Sequence, residues 1–135
     1  MEFFRVLEVK TEENEIQKRF DFHNLESMSN ELFLLELINK NEAHIGSLWG
    51  EFTLQRTVIK GGLRFALLEC PNALAWTITI GYDNDEGSVM IHATINRKKK
   101  NQEFIDEIDE FLDDHSELLK KSFDEKKVVT GNNKL

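Results

Sequence analysis

The sequence has 135 residues, one cysteine and a formal net charge of −8. A chain of this length usually forms one domain, and a lone cysteine excludes an internal disulfide framework. No apolar run reaches the ~18 residues of a membrane-spanning helix. We therefore expect one cytoplasmic domain that has no membrane partner.

The negative charge is concentrated in one stretch. Residues 103–117 contain eight acidic residues and no lysine or arginine, whereas the rest of the chain carries 17 residues of each sign. Proteins hold phosphate backbones with lysine and arginine, and the clearest cluster of these is the run RKKK at 97–100. Nucleic-acid binding is therefore not expected.

The first third of the chain predicts a strand followed by two helical segments. Residues 2–10 read as a strand with apolar side chains on both faces. Residues 11–23 fit either a helix capped by Thr11 or a strand, and we favour the helix. Residues 29–41, SNELFLLELINKN, predict a largely buried helix capped by Ser29, because their polar residues fall on one stripe. A buried strand is the alternative for this segment.

From residue 49 to residue 96 the apolar period changes to two, which predicts four antiparallel strands. Cross-strand neighbours share a face, so the register must place apolar residues opposite apolar residues. The predicted pairs are Val58 with Leu63 and Leu54 with Leu67 around a turn at 60–61, and Ile80 with Val89 around a loop at 83–86.

Residues 101–123 predict a long amphipathic helix with Asn101 as its N-cap. Acidic residues fill its early turns and Lys120 and Lys121 lie in its last turn, as the helix dipole favours. Its apolar stripe must be covered, and we expect it to pack on the apolar face of the sheet. The stripe comprises Phe104, Ile108, Phe111, Leu112, His115, Leu118, Leu119 and Phe123.

Together these elements predict an α+β fold. An antiparallel meander of four or more strands follows an N-terminal strand and two helical segments, and a long amphipathic C-terminal helix packs on one face. We expect a single domain over 1–123 and a polar tail over 124–135. This order resembles the helix-grip folds, which bind apolar small molecules between a curved sheet and the last helix, although fewer strands are predicted here. In size and acidity the chain also resembles bacterial secretion chaperones.

Arg56 is the most unusual residue of the predicted apolar face. A charge buried there needs a partner, so Arg56 either anchors an anionic ligand or has a structural partner such as a nearby acid or aromatic ring. The hypothesis of a ligand pocket between sheet and helices names Arg56 together with the following residues: Trp49, Phe65, Trp76, Tyr82 and His115.

The opposite face of the predicted sheet is flat and weakly polar. It is either a solvated face, as in many antiparallel sheets, or the contact between two copies of the chain. The residues of this hypothetical interface are Thr77, Thr79, Met90, His92 and Thr94.

No motif in the sequence specifies a chemistry. The four histidines and Cys70 lack metal-ligand spacing, so neither a metal nor a cofactor is predicted. We therefore expect a non-catalytic, homodimeric module that binds an apolar or anionic small molecule. Catalysis by His92 or His115 with Arg56 is the least favoured hypothesis. The alternative is an acidic interaction module, of the chaperone, antitoxin or regulator kind, that docks a basic protein.

Overall fold

A computed structural model describes residues 1–81, 85–96 and 102–133, with the backbone alone for residues 85–86 and 124–133. Seven strands and three α-helices are present in this part of the chain. The elements in chain order are β1 (Glu2–Leu7), α1 (Glu13–Arg19), a 3₁₀ turn (Phe22–Asn24), α2 (Leu25–Met28), β2 (Leu32–Asn39), β3 (Glu42–Ser47), β4 (Gly50–Ile59), β5 (Gly62–Leu68), β6 (Ala75–Gly81), β7 (Asp85–Thr94) and α3 (Gln102–Asn133).

The seven strands form one antiparallel sheet in the order β1-β7-β6-β5-β4-β3-β2. Every strand from β2 to β7 pairs with its neighbour in sequence, and β1 adds to the free edge of β7. The α+β meander and the long last helix are therefore confirmed. None of the described helices is long and apolar enough to cross a membrane.

The predicted register of the central strands is confirmed at each proposed pair. Leu54 lies opposite Leu67 and Val58 opposite Leu63 in β4 and β5, and Ile80 lies opposite Val89 in β6 and β7. The turn at 60–61 is confirmed as well, and Gly61 adopts a φ of +89° there, which glycine permits. Residues 83 and 84 of the second predicted loop lie outside the described residues, while Asp85 already belongs to β7.

The helix predicted for residues 29–41 is wrong, because Leu32–Asn39 is strand β2 and pairs with β3. The side chain of Asn39 accepts a 2.8 Å hydrogen bond from the backbone N–H of Asn41, which starts the turn between these strands. Cross-strand pairing then outweighs the helix propensity of the leucines. The buried-strand alternative is also incorrect in part, because Phe33, Leu35 and Ile38 are about half exposed.

The sheet buries one face only, as the alternation predicts. Trp76 and Ile91 both lie on the buried face, and α3 covers that face with its predicted stripe. Ile108, Phe111 and His115 are completely buried. Helix α1 confirms the helical interpretation of 11–23 over Glu13–Arg19, but its N-cap is Glu12 and not Thr11. The predicted N-cap of α3, Asn101, lies outside the described residues.

Candidate functional site

The residues predicted to line one ligand pocket differ in their surroundings. Phe65, Trp76 and His115 belong to the packed core between the sheet and α3, with Trp49 at its border. Arg56 lies opposite Phe65 in the register of β4 and β5, and its guanidinium reaches the end of α1. Tyr82 lies outside the described residues. The hypothesis of one pocket bounded by all of these side chains stays a prediction.

The core group is an aromatic cluster centred on Phe111 of α3. The Phe111 ring lies 5.2 Å from Trp76, 5.6 Å from Trp49 and 5.7 Å from His115, measured between ring centroids. The Phe65 ring stacks on Trp76 at 5.6 Å. Distances of this size are those of aromatic rings in direct contact, so these side chains fill the space between the sheet and the helix.

Three ring nitrogens of this cluster are buried without a hydrogen-bond partner among the described residues: Nε1 of Trp49, Nε1 of Trp76 and Nε2 of His115. The other nitrogen of His115, Nδ1, lies 2.5 Å from the carbonyl oxygen of Met28 and donates to it. Complete burial lowers the pKa of His115 to about 4, against the raising effects of the Met28 carbonyl and of Asp114. The ring is therefore neutral at pH 7 and presents Nε2 as an acceptor.

Arg56 ties the sheet to the end of α1. Its Nε donates a 2.7 Å hydrogen bond to the carbonyl oxygen of Phe20, and its Nη2 donates to that of Gln17. Carbonyls at a helix C-terminus lack helical partners and carry partial negative charge, which a guanidinium satisfies. Burial lowers the pKa of Arg56, and the nearby charge of Asp21 partly opposes this. Arg56 thus has structural partners, as one of the two interpretations of this residue predicts, and these partners are backbone carbonyls.

A cleft of about 380 Å³ lies beside Arg56, between the sheet and the 3₁₀ turn. Its apolar walls are Phe22, Leu37 and Val58, and its polar rim comprises Asp21, His23, Lys40, Asn41 and Arg56. Leu37 is 45% exposed and Val58 is 58% exposed. The cleft therefore combines exposed apolar side chains with two cationic side chains, Lys40 and Arg56.

Sequence reasoning missed most of the residues of this cleft. The helix predicted for residues 29–41 includes Leu37 and Lys40, whereas in the structure these residues line the cleft together with Val58. The signal that was available is the Asn-Lys-Asn segment at 39–41, since asparagine side chains favour turns between strands.

A larger cleft, of about 520 Å³, separates α1 from α3 and has a mainly polar lining. Arg19 lies in it and donates to the carbonyl oxygen of Ser122 at 2.7 Å and to its hydroxyl at 2.9 Å. Its guanidinium also lies 5.3 Å from the centre of the Phe123 ring. These contacts join the two helices, so the guanidinium of Arg19 already has partners.

The outer face of the sheet contains the residues of the hypothetical interface. Thr77, Thr79, Met90, His92 and Thr94 are all partly exposed there. The ring of His92 stacks on Phe4 of β1 at 4.4 Å, and its Nε2 lies 2.9 Å from a carboxylate oxygen of Glu2. His92 thus has partners within its own chain, and the contact between two copies remains a prediction.

Some of the acidic residues of α3 have partners within the same chain. Arg5 of β1 pairs with Asp109 at 3.1 Å and with Asp113 at 2.9 Å. Asp114 accepts hydrogen bonds from the hydroxyl of Ser29 and from the backbone and side-chain amides of Asn30. Docking of a basic partner, which stays a prediction, would therefore depend on other acids, such as the exposed Glu103, Glu110 and Glu117.

The described residues contain no group of three or more histidine, cysteine or acidic side chains arranged to hold a metal ion. No protein-family model matches the sequence, and no curated protein is significantly similar to it. The function is therefore inferred from the geometry of the chain itself.

Proposed function

We propose that this protein is a non-catalytic module that binds a small apolar molecule with an anionic end in the cleft beside Arg56. The observation that carries this proposal is the exposure of Leu37 and Val58, which line a concave space of about 380 Å³. Ligand pockets in proteins have volumes of about 300–1,000 Å³ and mostly apolar walls. An apolar ligand would remove both side chains from water, which favours binding.

The polar rim supports an anionic end for this ligand. Arg56 and Lys40 contribute two positive charges, and Asp21 contributes one negative charge. Because Nε and Nη2 of Arg56 are held by the carbonyls of Phe20 and Gln17, the guanidinium is fixed in place before a ligand arrives. A carboxylate or sulfonate would thus meet an ordered cation beside an apolar wall, which limits the entropy lost on binding.

The helix-grip resemblance supports the same class of function, because those folds hold apolar molecules against a sheet. The location proposed here differs from the one that the resemblance implies. In this chain the space under α3 contains the aromatic cluster, whereas the open apolar walls lie between the sheet and the 3₁₀ turn.

Two fluorescent probes test the proposal: 8-anilinonaphthalene-1-sulfonate, which is apolar and anionic, and Nile red, which is apolar and neutral. Val58→Trp should fill the cleft and weaken both probes at least ten-fold. The matched control is Val6→Trp, since Val6 is 61% exposed on β1 and lies outside the cleft. This control should bind both probes as the wild type does.

The charge on the rim is tested separately. Lys40→Glu should weaken the anionic probe at least five-fold and leave the neutral probe unchanged, whereas the same change at the exposed Lys10 should affect neither. If Val58→Trp and Val6→Trp bind the probes equally, the cleft is not the site and the proposal fails. If Lys40→Glu weakens the binding of both probes equally, the proposal that the ligand has an anionic end is wrong.

A further inference from the structure

Strand β2 forms one edge of the sheet and has an unusually apolar surface. Its sequence is LFLLELIN, with Glu36 as its one charged residue and with neither lysine nor proline. Four of its large apolar side chains are between 45% and 53% exposed: Phe33, Leu35, Leu37 and Ile38. Proteins usually protect a free sheet edge with charges or proline, because its unpaired backbone groups attract another strand. This edge has little of that protection.

The backbone of β2 pairs with β3 on one side only, within the part of the chain that the structure describes. Its register with β3 shifts after Leu34 and again after Leu37, which are irregularities of the β-bulge type. Bulges twist an edge strand and shorten the length that can pair. They therefore favour a short contact of defined length over continuous edge-to-edge association of many sheets.

We propose that β2 is the contact through which two copies of this chain associate, with the two β2 strands antiparallel around a two-fold axis. An antiparallel strand edge is complementary to itself, and a two-fold contact uses the same surface on both copies and closes after two. The apolar residues point to both faces of the sheet. Leu37 lies opposite the buried Ala43, whereas Phe33 lies opposite Gly46 on the outer face. Both faces of the joined sheet would therefore gain apolar cross-strand pairs.

Charge and area support a second copy as the partner. β2 and the turn after it carry one acid, Glu36, and one base, Lys40, so two copies do not accumulate charge at this edge. The half-exposed apolar side chains amount to on the order of 400 Å² over two copies at the usual area per side chain. With the backbone of the paired part of both strands and the rim around it, the buried area approaches the ~1,000 Å² of a specific interface. We therefore expect a dimer that dissociates at micromolar concentration.

This inference does not depend on ligand binding in the cleft, although Leu37 and Lys40 contribute to both. The proposed contact between two copies lies on strand β2. The interface predicted from the sequence lies on the outer face of the sheet, at Thr77, Thr79, Met90, His92 and Thr94. The other sheet edge, β1, provides the comparison, because Val6 in that strand is 61% exposed.

Sedimentation equilibrium of the full chain at low and high micromolar concentration tests the proposal. The wild type should be a reversible dimer, and Leu35→Lys should raise the dissociation constant at least ten-fold. Val6→Lys on the opposite edge and Met90→Lys on the outer face should dimerise as the wild type does. Circular dichroism of each variant establishes that it is folded.

A disulfide cross-link provides a second test, which does not depend on whether the lysine variant folds. In a Cys70→Ser background, Leu35→Cys should form a disulfide-linked dimer on mild oxidation, and Val6→Cys should not. A wild type that stays monomeric at the highest concentration would overturn the proposal. So would a dimer that Val6→Lys or Met90→Lys dissociates while Leu35→Lys leaves it intact.

Discussion

The Nδ1 atom of His115 in α3 lies 2.5 Å from the carbonyl oxygen of Met28, the last residue of α2. This hydrogen bond joins α3 and α2, which are the longest and the shortest α-helices in the described part of the chain. Both residues are completely buried, so the bond is shielded from water. Because the carbonyl only accepts, Nδ1 carries the proton, and the neutral ring fits the lowered pKa of about 4.

We expect His115 to make the protein less stable in acid. The pKa of this residue is about 4 in the folded chain and near 6.5 in the unfolded chain, so the unfolded state binds a proton first as the pH falls. Stability should be unaffected above pH ~6.5 and should fall towards pH ~4, by up to about 3 kcal/mol from this group. His115→Leu should flatten the slope of unfolding free energy between pH 7 and pH 5. Equal slopes in denaturant titrations of both proteins would contradict this assignment.

Arg5 should contribute a salt-sensitive link between β1 and α3. Replacing it with glutamine removes its ion pairs with Asp109 and Asp113, and should lower the free energy of unfolding by about 0.5–1 kcal/mol, as for other partly exposed pairs. The loss should shrink in concentrated salt, because salt screens exposed charges. The control is Arg64→Gln, at an exposed arginine of β5. A loss that does not change with salt would show that Arg5 acts through packing alone.

Gly62 should not tolerate a side chain. A Cβ atom at this position would lie 2.0 Å from the backbone carbonyl oxygen of Ile78, which cannot move without disturbing β6. Gly62→Ala should therefore cost about 3 kcal/mol or more. At Gly46 the nearest atom would be a Phe33 ring carbon at 3.8 Å, so Gly46→Ala should stay within about 0.5 kcal/mol of the wild type. Similar melting temperatures for both variants would contradict this contrast.

Arg56 should be required for the docking of α1. Arg56→Leu leaves the carbonyls of Gln17 and Phe20 without their charged donor, and should cost about 2–3 kcal/mol in urea unfolding. Arg56→Lys should be intermediate, because an ammonium lacks the rigid fork that reaches two carbonyls. Arg64→Leu provides the matched control on the neighbouring strand. If it destabilises the protein as much, the helix contacts of Arg56 are not the cause.

The central strands and α3 could be predicted because one physical constraint specifies both. A surface that is buried on one side only forces an apolar period of two in strands and of about 3.6 in helices. This constraint places Leu54 opposite Leu67 and orients Ile108 and Phe111 inward, in agreement with the structure. The local sequence pattern is therefore sufficient to predict the strand register and the face of the sheet that the helix covers.

Strand β2 could not be predicted in the same way, because Phe33, Leu35 and Ile38 are apolar although no core covers them. A run that is apolar on all sides carries no period, so a helix and a strand fit it equally well. The segment is a strand because it pairs with β3, from Leu32 opposite Ser47 to Asn39 opposite Glu42. Such pairing is not a local property of the segment.

The amino-acid sequence by itself determined that the chain is an α+β protein with a one-sided meander and a long covering helix. Only the tertiary structure decided that Arg56 holds the end of α1 and that Trp76 and His115 lie in the filled core. The reason is that periodicity states which way a side chain points, whereas its partners depend on which distant segment packs there. Gln17 and Phe20 are 39 and 36 residues from Arg56 in sequence, and only folding brings them together.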